Sequence, residues 1–119
     1  MRAILIETDK HTLREVEFAG TLHDAYRLLG ITIIERVPLP PYNDREWDLW
    51  VDEEGLLNGA ADRIGLFQFK NFDQPLAGRG LIAGNIYDPE DGEKWAPLPD
   101  VYDIRTFAPM VSWLTPIKE

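Results

Sequence analysis

The sequence has 119 residues, 45% of them hydrophobic and 11% aromatic, which is enough apolar side chain for one domain with its own core and too short a chain for a second. Zero cysteines exclude disulfides, thiolate nucleophiles, cysteine-zinc sites and iron–sulfur clusters. Twelve Lys and Arg against 21 Asp and Glu give a net charge of -9, which opposes direct binding to a nucleic-acid backbone.

Residues 2–6 form a short Ile-rich apolar run, and Val16 and Phe18 later share one strand face while Glu15 and Glu17 share the other. A β-hairpin is expected, turning at Thr8-Asp9-Lys10-His11. Thr21 can cap a helix in which Leu22, Ala25, Tyr26 and Leu29 recur at one-face spacing, with Asp24 three residues after the cap and Gly30 as the stop. This predicts an amphipathic helix over about 21–29. Ile31 to Val37 is β-branched and ends at Pro38, Pro40 and Pro41, as a strand must where proline removes ladder donors.

From Glu46 to Val51 the pattern alternates, with Trp47, Leu49 and Val51 on one side and Glu46, Asp48 and Trp50 on the other. A strand with an acidic, partly aromatic outer face follows. Asp52-Glu53-Glu54-Gly55 reads as a turn, Leu56 to Asp62 as a short helix broken by Gly59, and Gly65 to Phe72 fits neither period. Leu81 to Tyr87 is another strand, closed by Asp88-Pro89-Glu90-Asp91-Gly92. In the tail, Pro97, Pro99, Pro109 and Pro116 leave room only for short strands or turns around Ile104 to Phe107 and Met110 to Leu114. The whole is expected to be α+β: one small domain over 1–119, mostly antiparallel, with a β-β-α-β-β start.

Three stretches in this order, Met1-Arg2-Ala3-Ile4-Leu5-Ile6, Val51-Asp52-Glu53-Glu54-Gly55-Leu56-Leu57-Asn58-Gly59 and Pro75-Leu76-Ala77-Gly78-Arg79-Gly80-Leu81-Ile82-Ala83-Gly84, give the chain a resemblance to a known group. It resembles a family of small domains of unknown function carried by bacteriophages, plasmids and other accessory bacterial DNA. The resemblance covers about residues 1–87 and leaves an acidic, proline-rich extension over about 88–119. It implies a mobile-element origin and transfers no catalytic residue.

The negative charge is local. Residues 44–54 carry a net of -5, and residues 88–103 carry another -5. Glu46 and Asp48, two residues apart on a strand, would form a short row of charge about 6.6 Å in spacing, comparable with successive phosphates, and Trp50 beside them suits a protein contact or a place beneath the tail. Glu46, Asp48, Trp50, Asp52, Glu53 and Glu54 are therefore the candidate contacts for a basic protein partner, in a bacterial cytoplasm given the absence of a membrane span or signal-peptide core. The leading expectation is a non-enzymatic acidic binding protein of a mobile element, with anti-restriction or other anti-defence activity as one form. The alternative is a small-ligand module in which Gly78, Arg79 and Gly80 cradle the phosphate of a nucleotide. No metal or cofactor is expected: the Asp52 to Glu54 carboxylates lack calcium-loop spacing, His11 and His23 lack ligand spacing, and the lone Ser112 lacks a hydrolase elbow.

Overall fold

The computed structural model describes residues 1–39, 46–57 and 59–115. Pro40, Pro41, Asp44, Arg45, Asn58 and Pro116, which entered the sequence reading, lie outside the described residues. The elements run β1 (Arg2–Glu7), β2 (Thr12–Glu17), α1 (Leu22–Leu29), β3 (Ile34–Arg36), β4 (Trp47–Asp52), α2 (Ala60–Arg63), β5 (Leu66–Phe69), β6 (Leu76–Ala77), β7 (Gly80–Asp88), β8 (Gly92–Ala96), α3 (Ile104–Phe107) and β9 (Val111–Leu114). The fold is a sheet-dominated α+β domain, and its first five elements follow the expected β-β-α-β-β order.

The main sheet has the order β2-β1-β7-β4-β3, with β8 joined to the far half of β7, and every described pairing is antiparallel. A second sheet, β6-β5-β9, packs on one face of it. Between the sheets Ile4, Ile6, Leu49, Val51 and Ile82 meet Phe67, Phe69 and Leu76. On the opposite face Ala3, Leu5, Val16, Phe18, Leu81 and Ala83 pack with Ala25, Leu28 and Leu29 of α1. One central sheet thus separates two cores, and alternation along β4 and β7 feeds both.

The caps of α1 are as the sequence predicts: the Thr21 hydroxyl accepts from the Asp24 N–H at 3.1 Å, and Gly30 closes the helix at φ 70°. Its buried face is so only in part: Ala25 and Leu29 are buried and Tyr26 half-buried, but Leu28 joins them and Leu22 is 48% exposed. Buried Asp24 accepts from the Ala19 N–H at 2.7 Å and pairs with Arg27, so its carboxylate fixes the entry loop as well as the helix start.

The strand expected from Ile31 shrinks to Ile34–Arg36, since the Ile31 N–H still bonds the Tyr26 carbonyl of α1. Leu66–Phe69, without a clear period, is a strand flanked on both sides by β6 and β9. In the tail, Ile104 to Phe107 is one helical turn with an Asp103–Thr106 capping box, where a strand or turn was expected, while the expected strand near Met110 to Leu114 forms as β9.

Candidate functional site

The glycine-rich segment is occupied by packing. Gly78 turns at φ 87° with its N–H on the Gly65 carbonyl, and its own carbonyl accepts from the Thr8 hydroxyl at 2.7 Å. A Cβ on Gly80 would come within 3.1 Å of Ile6, Leu49 and Phe67, and one on Gly84 within 2.5 Å of the Pro97 carbonyl oxygen. The Arg79 guanidinium is gripped by Asp9 through two hydrogen bonds of 3.1 and 3.0 Å. That bond raises the Arg79 pKa and holds Asp9 below the usual carboxylate range. The Gly78 N–H and two of the Arg79 guanidinium donors are thus engaged within the chain.

The six acidic-face candidates separate. Glu46 and Asp52 stand at opposite ends of β4, about 20 Å apart along an extended strand. Glu46 is exposed and bonds the Tyr102 phenol, which raises that phenol's pKa. Asp52 is buried and accepts from the Glu54 N–H at 2.9 Å, an Asx turn that shapes Asp52-Glu53-Glu54. Asp52 and Glu54 border a groove of about 550 Å³ against His23, Tyr26 and Arg27 of α1. The Glu35 pKa is pushed up first by desolvation and then by the like charges of Glu53 and Asp52. The row of exposed charge expected at Glu46 and Asp48 does not form, because Asp48 is only 4% exposed.

Asp48 and Trp50 instead enter a cleft of about 650 Å³ on the α1 side of the main sheet. Four adjacent strands build it. Arg36 of β3 stands opposite Trp50 of β4, and Asn85 of β7 stands opposite Trp95 of β8. Paired residues face the same side, so alternation along these strands delivers Arg36, Asp48, Trp50, Asn85, Glu93 and Trp95 to one surface. At its base the Asn85 side-chain amide donates to Asp48 Oδ2 at 2.7 Å. Arg36 Nη1 lies 3.9 Å from the same oxygen and bonds Glu93, which raises the Arg36 pKa against the cost of burial. Lys94 at the rim is drawn to Asp91 at 2.8 Å and Asp88 at 3.4 Å.

The wall of the cleft is aromatic. Trp50 and Trp95 meet edge to face at 5.3 Å, and Trp95 meets Phe18 in the same manner at 5.3 Å. Both indole Nε1 atoms are buried without a hydrogen-bond partner among the described residues. Buried polar atoms are usually satisfied, so these two donors are exceptions within the wall. The site can grip a flat, hydrogen-bonding group between indoles and carboxylates. Among the described residues no group of three or more His, Asp or Glu side chains is arranged to hold a metal. Sequence reasoning found Asp48 and Trp50 and missed Arg36, Asn85, Glu93 and Trp95. Their signal was faint: one cation in an apolar strand, one amide within another, and an indole inside an acidic tail.

Fold and site together define an antiparallel α+β domain with a cleft on its sheet. Residues 1–108 match the family model described as a domain of unknown function, DUF3846, and the chain belongs to that family. The match runs past residue 87 and takes in β8, the strand that supplies Glu93 and Trp95. No curated protein and no solved structure matches the chain.

Proposed function

We propose that this chain is a non-enzymatic acidic binding protein that takes a basic protein partner at the sheet cleft around Asp48 and Trp50. The observation that carries the reading is the Asp48 carboxylate, nearly buried at the foot of a cleft walled by two tryptophans. A carboxylate removed from water binds a cation more strongly than an exposed one, and aromatic walls are typical of the centre of a protein contact. The likeness of its turn motifs to domains of bacteriophages and plasmids supports an origin in a mobile element. Anti-restriction or other anti-defence action inside a bacterial cytoplasm is the form this origin favours. A nucleotide held by Gly78, Arg79 and Gly80 is the lesser reading, since Asp9 already holds Arg79.

The test compares two double variants of equal charge. Asp48→Asn with Glu93→Gln neutralises the cleft, and Asp62→Asn with Asp73→Asn neutralises exposed carboxylates on α2 and on the loop after β5. Binding of a mixed Arg/Lys polypeptide is measured by calorimetry at two ionic strengths. Loss of affinity and a flatter salt dependence in the cleft variant alone is expected. Equal weakening in both variants would mean that only net charge matters.

A further inference from the structure

We infer that the groove between α1 and the Asp52-Glu53-Glu54 turn is a second binding site, for a small zwitterion: a free amino acid or a short peptide with both ends uncapped. It shares no lining residue with the cleft, so it stands or falls apart from the basic-partner reading.

The helix wall is a stripe of the sequence. His23, Tyr26, Arg27 and Gly30 recur at i, i+3, i+4 and i+7, the spacing of one helix face, and all four line the groove. Arg27 is anchored by a buried partner. Asp24 gives one carboxylate oxygen to the Ala19 N–H at 2.7 Å and the other to Arg27 Nε at 2.6 Å, so no second oxygen is left to engage the guanidinium fork. Arg79, by contrast, spends its fork on both oxygens of Asp9. Among the described residues the Arg27 Nη groups, the Tyr26 phenol and the His23 imidazole make no hydrogen bond. A guanidinium fixed at Nε keeps two Nη donors whose spacing matches the two oxygens of a carboxylate.

The other wall has the opposite sign. Exposed Glu54 stands on the turn that its own N–H closes on Asp52, and its carboxylate makes no bond among the described residues. Asp52 is already bonded within the chain and is not a contact of this site. Main-chain bonds hold the walls in place: the Glu53 N–H reaches the Ile33 carbonyl at 3.2 Å, and the Gly30 and Ile31 N–H groups reach the Tyr26 carbonyl at 2.8 and 3.1 Å. A preformed hollow of about 550 Å³, with Ile31 and Ile33 in its lining, is of the size that takes small molecules. A simple anion is repelled by Glu54 and a simple cation by Arg27. A zwitterion meets both with the matching sign, its carboxylate on Arg27 and its ammonium on Glu54.

Glycine and triglycine, each also in its N-acetyl and its C-amide form, are titrated into the full chain by calorimetry. At least one free-ended compound should bind, and either cap should weaken it several-fold; tighter glycine assigns the site to a free amino acid, tighter triglycine to a peptide. Arg27→Gln should lose several-fold in affinity for the free form and nothing further for the amide. Glu54→Gln, at an exposed position, should lose as much for the free form and nothing further for the N-acetyl form, because each variant removes the partner of the end that the cap removes. No binding, equal binding of free and capped forms, or unchanged affinity in both folded variants overturns the inference.

Discussion

Asp9 and Arg79 show why the residue that stands out in a sequence need not be the one that matters most to the fold. Arg79 is the single cation between Asn71 and Asp91, yet it forms a partly exposed ion pair, and Arg79→Ala should cost no more than about 1 kcal/mol in urea melts. Gly84→Ala should cost more, because its new Cβ would press on the Pro97 and Ala96 carbonyl oxygens, which belong to backbone and cannot rotate away. A smaller loss for Gly84→Ala than for Arg79→Ala would show that the chain after β8 sits elsewhere. Titration offers a second check. The Glu7 carboxyl is held below its usual range first by the Arg14 hydrogen bond, and Asp24 by those of Arg27 and the Ala19 N–H. Their stability is present above the unfolded carboxylate range and is lost as pH falls through the lowered folded values. Glu35 has the opposite sign: its raised pKa disfavours the folded state once it ionises, and protonation relieves this on acidification. Glu35→Gln should therefore raise the melting temperature at neutral pH, with the gain fading toward acid. An unchanged melting temperature at neutral pH would deny that desolvation and the charges of Glu53 and Asp52 press on this carboxyl.

The elements differ in how far their own residues specify them. The first hairpin and the caps of α1 were legible because both depend on neighbours in sequence: polar turn residues between apolar runs, Thr21 before the helix and Gly30 after it. The helix face was misjudged at Leu22, since a 3.6-residue period says which residues share a stripe and not how much of the helix lies over the sheet. Leu29→Ala, which empties a buried site, should cost about 2 to 5 kcal/mol, whereas Leu22→Ala should stay within about 0.5 kcal/mol by denaturant unfolding. Similar losses at both positions would restore the original face. The two faces of β4 were read correctly from alternation, but the exposure of one was not. Whether Asp48 and Trp50 meet water depends on β3 and on the β7–β8 hairpin beside them, contacts with sequence separations that no local pattern records. Leu66–Phe69 was obscure for a related reason, as its partner β9 lies more than forty residues on and both strand edges are paired.

At the scale of the molecule, the two acidic stretches of sequence do not become two acidic surfaces. The first is divided along β4, and the second is partly spent on Arg36, Lys94 and the cap of α3, which leaves the cleft as the place where a residue from each stretch meets the other: Asp48 and Glu93. The four tryptophans report on this arrangement individually. Trp50 and Trp95 wall the cleft, Trp47 packs against Phe69 and Phe107 between the sheets, and Trp113 stacks on His11 at 5.1 Å. The most direct measurement follows the four indole N–H resonances of the nitrogen-labelled protein while the mixed Arg/Lys polypeptide is added. Movement of the Trp50 and Trp95 signals, with Trp47 and Trp113 held in place, is the predicted result; movement of Trp47 or Trp113 without Trp50 and Trp95 would contradict the cleft as the binding site.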